Sequence, residues 1–372
     1  MGRAEARTGP SPADLAAHLE QVGLEAGLDV VGVTTAEPFE ATRRTLEQRK
    51  REGLHGGMQF TYRNPQRSTD PGQALPGARS LIVGARSYRR RTKDAANAHG
   101  AEAHRGAVAR YSWIDHYADL RAALEAMADE LRRAGWGARV LADDNALVDR
   151  EAARRAGLGF YGKNTNLLLH GARGSEFVLG SVVTDASLPA TVPAEDAGCG
   201  PCERCLPACP TGALIEPGVL DARRCLAWLL QAEGDFPPEH RQALGGRIYG
   251  CDACQDVCPP NRLEIRRRTP PIAEPGAEAE VDLVALLETE DDDELLRRFG
   301  RWYIARRDAR YLRRNALIAL GNVGDPGDDA TRRAIRSHLD RHDDPMLQEH
   351  AAWAASQLDV AELRLGAVPT PR

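Results

Sequence analysis

Eight cysteines, and no others in 372 residues, lie between Cys199 and Cys258. The first four form "CGPCERCLPACP", spaced C-x2-C-x2-C-x3-C and closed by a proline. A structural zinc site wants four ligands, most often as two separated C-x2-C pairs. This run instead has the bacterial ferredoxin spacing, in which the fourth cysteine serves a neighbouring [4Fe–4S] cluster. A second run, "CDACQDVCPP", supplies Cys251, Cys254 and Cys258, and Cys225 is the remaining thiol. Reciprocity assigns Cys199, Cys202, Cys205 and Cys258 to one cluster and Cys209, Cys225, Cys251 and Cys254 to the other. All eight thiols are then used, and zinc is the weaker reading. Clustered cysteines also suit a reducing compartment better than disulfides do.

Two clusters need only a small fraction of this length, so the rest of the chain must use the electrons. Ser11-Pro12-Ala13-Asp14 reads as a helix start, with a capping hydroxyl and proline in the first turn. Apolar runs at 30–34, 80–88, 138–144 and 177–185 read as strands, with helical stretches such as 117–134 between them. The expectation is an α/β domain over 1–195, a metal-held ferredoxin-like domain over 196–268, a linker near 268–280 and a helical domain over 280–372. Segments near 282–288, 293–299, 303–321, 329–339 and 346–358 suggest stacked helical hairpins of the HEAT type, or a simple bundle.

Hydrophobic content of 42% and a net charge of −5 fit a soluble globular chain and exclude a uniformly basic nucleic-acid coat. No apolar run is long enough to span a bilayer, and the N-terminal residues lack a signal-peptide apolar core. Met1-Gly2 is followed by Ala6 where myristoylation wants Ser or Thr. The expectation is a cytoplasmic protein without a membrane partner. Neither a G-x-G-x-x-G after the first strand nor a Walker loop is present, which argues against nicotinamide and nucleotide hydrolysis. The front domain's distinctive stretch is "DDNALVDREAARRAGLGFYGKNTNLLL" (143–169), whose Gly157, Gly159 and Gly162 suggest a tight turn with close backbone approach.

"AGLGFYGKNTNLL" (156–168), the cysteine arrangement, "RIYGCDACQDVCPPN" (247–261), "LHGGM" (54–58) and "LRRNALIALGN" (312–322) together resemble the epoxyqueuosine reductase family. The resemblance covers most of the chain. It implies a front domain related to that of the cobalamin-dependent reductive dehalogenases. It also implies base-off cobalamin fed by the two clusters, and reduction of epoxyqueuosine to queuosine at the wobble position of a tRNA anticodon. Aligning back from the A-G-L-G turn implies Asp143 as proton donor. "ADDNA" stands where the family has Val-Asp-Ser/Thr-Ala-Pro, so Asp144 is the alternative, and a helix N-cap is the bland reading of Asp143. The resemblance places Lys163 and Asn164 at the cofactor or substrate cavity. Arg67, Tyr111 and Gln255 are further candidate cobalamin contacts. His116 is read as structural rather than as a cobalt ligand. Asp340-Arg341-His342 is the nearest approach to a D-x-H-x-x-G motif, with Pro345 in place of the glycine.

Arginines crowd 297–314 with Trp302, Tyr303 and Tyr311 interleaved. Such a run is usually a solvated face. With the resemblance, Arg306, Arg307, Arg310, Arg313 and Arg314 become the expected tRNA-backbone contacts. An external low-potential electron donor is implied, and a monomer is expected. The rival readings are a reductive dehalogenase with the same cofactors, and a non-catalytic electron-transfer or tRNA-binding protein.

Overall fold

The computed structural model describes residues 11–92, 104–192, 198–340 and 343–359. Four strands form the main sheet: β1 (Val30–Thr35), β2 (Ser80–Ser87), β3 (Ala138–Ala142) and β4 (Phe177–Thr184). They sit where the apolar runs predict them, in the order β1-β2-β4-β3. Every pairing is antiparallel, with Val33 opposite Ile82 and Ile82 opposite Val182. The alternation of strands and helices in sequence does not specify this direction, because the long connections here return each strand antiparallel.

Side-chain alternation splits the domain into three layers. Ile82, Val178 and Val182 face helices α1 (Pro12–Glu25) and α2 (His116–Arg133) through Leu15, Leu19, Leu120, Leu124 and Met127. Leu81, Val83, Leu141 and Val183 face the other way, onto Ala152, Ala153 and Ala156 of helix α3 (Asp149–Arg155) and its neighbours. Ser11 caps α1 by accepting from the Asp14 N–H, and Pro12 follows it. Helix α3 ends at Gly157, whose φ of +75° favours glycine. A Cβ on Gly159 would lie 2.1 Å from the Leu168 carbonyl oxygen, so the strand Gly159–Tyr161 meets Leu167–Leu169 only with glycine there.

A second, three-stranded sheet ties the chain together. Arg105–Val108 pairs in parallel with Arg247–Tyr249, which leads into Cys251, and antiparallel with Glu280–Asp282. One strand thus comes from each of the three predicted segments, and the supposed linker after 268 delivers the third. The helices beyond pack onto this sheet in a single apolar core with Ile248, Tyr249 and Val281. They include α5 (Arg310–Val323), α6 (Asp329–Leu339) and α7 (Pro345–Gln357). Arg341 and His342 of the D-x-H candidate lie outside the described residues.

Candidate active site and thiol centres

Each cysteine occupies a turn or helix end, where backbone N–H groups are free to point at sulfur. Cys205 opens the short helix Cys205–Ala208 and Cys209 caps it. Cys225 follows a 3-10 turn, and Cys254 lies in Ala253–Asp256. Cys258 caps helix α4 (Pro259–Arg267), whose first residues are prolines without an N–H to waste. The Lys163 N–H donates to Cys199 Sγ at 3.4 Å and the Ala213 N–H to Cys209 Sγ at 3.2 Å.

The thiols fall into two neighbourhoods. Burial pushes the Cys258 thiol up to about 11, and its electrostatic neighbours are Cys199, Cys205 and Cys202. Burial raises Cys254 further, and its neighbours are Cys251, Cys225 and Cys209, with Cys205 beyond them. Cys225 is likewise raised to about 11 by burial, beside Cys251 and Cys209. For Cys209, burial alone would raise the thiol, but N–H donors from Leu214, Thr211 and Ala213 outweigh it and the net shift is downward. Among the described residues no three His, Cys, Asp or Glu side chains converge tightly enough for a single ion. A cavity of about 160 Å³ opens among Cys199, Cys202, Cys205 and Cys258 instead. That arrangement fits a polynuclear cluster rather than one tetrahedral zinc. Asn164 borders this cavity, 4% exposed, with Nδ2 unpartnered and Oδ1 accepting the Asn166 N–H. Lys163 pairs with Glu203 at 3.2 Å.

The second centre is a carboxyl cleft at the end of β3. Asp143 has a φ of +54°, a conformation that few residues other than glycine adopt. Asp143 is exposed to solvent, while protein surrounds its carboxyl at longer range. That burial raises its pKa; the Arg121 guanidinium opposes the shift, while Asp115 and Asp144 add to it. The N-cap reading of Asp143 is not realised, since α3 starts at Asp149 after Val148 and lacks a side-chain cap. Asp144 accepts the Ala146 N–H at 2.8 Å, which commits its carboxylate to the local turn. Behind them Asp149, with Oδ1 buried and unpartnered, is raised well above the carboxylate range by burial and by Asp143 and Asp144.

Tyrosines line the same region. Burial raises Tyr117, with Asp143 and Asp149 next in effect, and raises Tyr249 to about 12. Tyr111 is half-buried, lies 6.2 Å from the Tyr249 ring, and its hydroxyl accepts from Gln231 at 3.3 Å. Tyr249 stacks on Trp302 and its hydroxyl accepts the Tyr303 N–H at 2.8 Å. Tyr249, two residues before Cys251, has Asp143 among its electrostatic neighbours. Its significance was not readable from the sequence, where an aromatic before a ligand is only a spacer.

Other candidates are placed differently. Gln255 is buried and its Oε1 accepts from Tyr88 (3.1 Å) and Ser175 (2.8 Å), so it is committed to internal bonds. Arg67 is exposed at the end of the short helix Pro65–Ser68. His116 is 1% exposed, and burial lowers its pKa to about 4, which leaves a neutral imidazole. A buried network that the sequence did not announce joins the front domain to the thiol segment. Glu176 bonds both Arg89 and Arg110, and the Arg110 N–H donates to Asp252 at 2.9 Å.

Arg313 and Arg314 must be withdrawn from the expected tRNA contacts. They are 2% and 0% exposed on the core side of α5. Arg313 bonds Asp292 and the Thr289 carbonyl, and Arg314 bonds the carbonyls of Leu229, Ala232 and Gly234. Arg306, Arg307 and Arg310 are exposed, as is Tyr303 at 56%. Arg306 pairs with Glu233 at 2.7 Å, Arg310 with Asp308 at 2.6 Å, and Arg307 donates to the Leu296 carbonyl at 2.8 Å.

Two neighbouring groups of thiols and a raised carboxyl define the class, a double-cluster iron–sulfur oxidoreductase. The model of a 4Fe-4S double cluster binding domain matches residues 198–261, and that of "Epoxyqueuosine reductase QueG, DUF1730" matches 68–144. An epoxyqueuosine reductase of Xanthomonas campestris pv. campestris is 35% identical over 355 residues, covering 94% of this chain and 97% of that protein. A crystal structure of epoxyqueuosine reductase with an epoxyqueuosine-modified tRNA-Tyr stem loop is 31% identical, with a TM-score of 0.81 over 93% of this chain and 90% of that one. A Bacillus subtilis epoxyqueuosine reductase, solved with its catalytic aspartate loop swung out of the active site, is 31% identical and also superimposes at 0.81, covering 93% of this chain and 90% of that one. The chain belongs to the epoxyqueuosine reductase family.

Proposed function

We propose that this enzyme reduces epoxyqueuosine to queuosine at the wobble position of a tRNA anticodon, with Asp143 as the proton donor. What supports the reading is membership of the epoxyqueuosine reductase family together with the Asp143 carboxyl just past β3, raised by burial and with Tyr117 and Tyr249 among its electrostatic neighbours. Losing the epoxide oxygen as water takes two electrons and two protons. A carboxyl whose pKa is raised by burial can protonate the departing oxygen while the C–O bond breaks.

The cluster ligands are Cys199, Cys202, Cys205 and Cys258 for the outer cluster and Cys209, Cys225, Cys251 and Cys254 for the inner. N–H donors on Cys199 and Cys209 and the 160 Å³ cavity support them. Cobalamin fits the cleft in kind. The corrin's peripheral amides could satisfy the orphaned Asp149 Oδ1, and Tyr111, Tyr117 and Tyr249 offer an apolar wall with polar tips. When bound there, cobalamin supplies low-potential cobalt able to pass electrons to the epoxide carbon. Arg67, Lys163 and Asn164 are its further candidate partners, with Gln255 acting from behind through its internal bonds.

Arg306, Arg307 and Arg310 contact the anticodon-arm phosphates, and the modified base enters the cleft unstacked. In this division 1–195 holds the cofactor, 196–268 carries electrons and 280–372 holds tRNA. The enzyme acts as a cytoplasmic monomer fed by an external low-potential donor; no helix among the described residues is long and apolar enough to cross a membrane. The test is anaerobic incubation of cluster-reconstituted protein with cobalamin, a chemical reductant and epoxyqueuosine-containing tRNA, followed by nucleoside mass analysis. Queuosine is the expected product, and its absence overturns the proposal.

A further inference from the structure

Three of the nine large apolar side chains exposed among the described residues fall within fourteen positions after Cys258, the last of the eight cysteines. They are Leu263 (38% exposed), Ile265 (47%) and Ile272 (43%). Arg262, Arg266, Arg267 and Arg268, all exposed, are interleaved with them, against a single half-buried acid, Glu264. Helix α4 is held by few contacts on this side: Arg262 donates to the Asp256 carbonyl and Arg267 to that of Gly171. Past its end, Arg268 joins Arg86, Arg90 and Arg173, with Asp29 and Glu264, around a cleft of about 340 Å³ beside the end of β2 and the start of β4. The chain as a whole carries a net charge of −5, so this cationic, apolar-studded face runs against the average.

Its position gives it a use. Cys258 is the N-cap of α4, and nine residues of helix span only about 14 Å. A partner seated on α4 is therefore close to the outer thiol group, whose Cys205 adjoins the inner group through Cys254. The face borders the end of β2 and the start of β4, whereas Asp143 follows β3. RNA phosphates would be served by the arginines but not by Leu263, Ile265 and Ile272. A protein with an acidic rim around an apolar redox centre is served by both.

We propose that α4 and residues 268–272 are the docking face for an acidic one-electron carrier protein, which delivers electrons into the cluster held by Cys199, Cys202, Cys205 and Cys258. The proposal rests on the reading of those four thiols as the outer cluster. Opposite charge steers encounter and raises association rates by 10- to 1,000-fold in an ionic-strength-dependent way.

The test uses the cluster-reconstituted full chain and a reduced acidic flavodoxin, with cluster bleaching followed by stopped-flow absorbance in the absence of tRNA. For the wild type, the second-order rate constant falls steeply with added salt. In Arg266→Glu/Arg267→Glu it drops at least tenfold at low salt and loses most of its salt dependence. Reduction by dithionite and affinity for an anticodon stem loop stay at wild-type values. Oxidised flavodoxin also protects amides of 262–272 from hydrogen exchange in the wild type. If the double variant fails to retain iron, Arg266→Gln is used, with a several-fold drop expected. Salt-independent reduction of the wild type, or an unchanged carrier rate in the variants, overturns the proposal; lost stem-loop affinity with an unchanged carrier rate gives the face to RNA instead. Because the readouts are cluster reduction and amide protection, failure to form queuosine cannot be mistaken for failure of docking.

Discussion

Replacing Arg314 separates a structural arginine from the exposed ones around it, which are proposed to face RNA. Arg314 is fully buried, and burial lowers its pKa only to about 10, so it is charged at neutral pH. Its guanidinium donates to three main-chain carbonyls, Leu229 at 3.0 Å, Ala232 at 2.9 Å and Gly234 at 2.5 Å, and to Asn315 Oδ1. Those carbonyls belong to the segment that follows Cys225, so the side chain pins a cluster ligand's support to α5. In Arg314→Met the aliphatic volume is roughly kept, while three acceptors lose a charged donor at about 1–3 kcal/mol each. Relief of the buried charge's own desolvation offsets part of this, which leaves a destabilisation of about 3–5 kcal/mol. Against the 5–15 kcal/mol typical of a folded domain, that is a large fraction. The assay is urea unfolding followed by tryptophan fluorescence, paired with anisotropy of a labelled anticodon stem loop at several salt concentrations. Arg314→Met should unfold at lower urea with its salt slope unchanged. Arg306→Ala and Arg310→Ala should keep the wild-type urea midpoint, and each should lower the salt slope by about one. Wild-type stability together with a reduced salt slope in Arg314→Met would refute the reasoning.

Three further outcomes follow from the geometry. Cys258→Ala should reduce iron from about eight to about four atoms per chain, with the inner cluster retained; loss of all the iron, or none, would contradict the pairing. Glu176→Gln leaves Arg89 and Arg110 short of their shared anion and should cost about 3–5 kcal/mol in urea unfolding, with a wild-type midpoint as the contrary result. Asp149 has a folded-state pKa raised above its unfolded value, so its contribution to stability is present at acid pH and lost as pH rises through the raised value. Asp149→Asn should therefore raise the thermal midpoint of the cofactor-free protein at pH 7–8 and leave it unchanged near pH 3; equal shifts at both would contradict the assignment.

The sequence made the strands legible because Ser80–Ser87 and Phe177–Thr184 are continuous apolar runs bounded by breakers. It made the double-cluster domain legible because a proline-terminated cysteine run has few chemical uses. Strand direction was not legible, since it depends on where long connections return. The sheet that joins Arg105–Val108, Arg247–Tyr249 and Glu280–Asp282 was hidden for a related reason: each strand is short and its partners lie far away in the chain. Arg313 and Arg314 misled because a run of arginines states charge, whereas burial is decided by which face of α5 meets Leu229 and Asp292. The resemblance pointed to Asp143 with Asp144 as the alternative, and only the turn geometry, in which Asp144 accepts the Ala146 N–H, distinguishes the two carboxylates.

The central claim is that Asp143 delivers the proton as the epoxide opens. Its most direct test is a single turnover of epoxyqueuosine-containing tRNA by reduced, cobalamin-loaded wild type and Asp143→Asn across pH, with nucleosides quantified by mass. Wild type should form queuosine at a rate that falls as pH rises through the raised carboxyl pKa. Asp143→Asn should still bind the stem loop and hold its clusters, yet form product about 10²–10⁴ times more slowly and without that pH limb. Product formation at the wild-type rate, with the same pH dependence, would contradict the account.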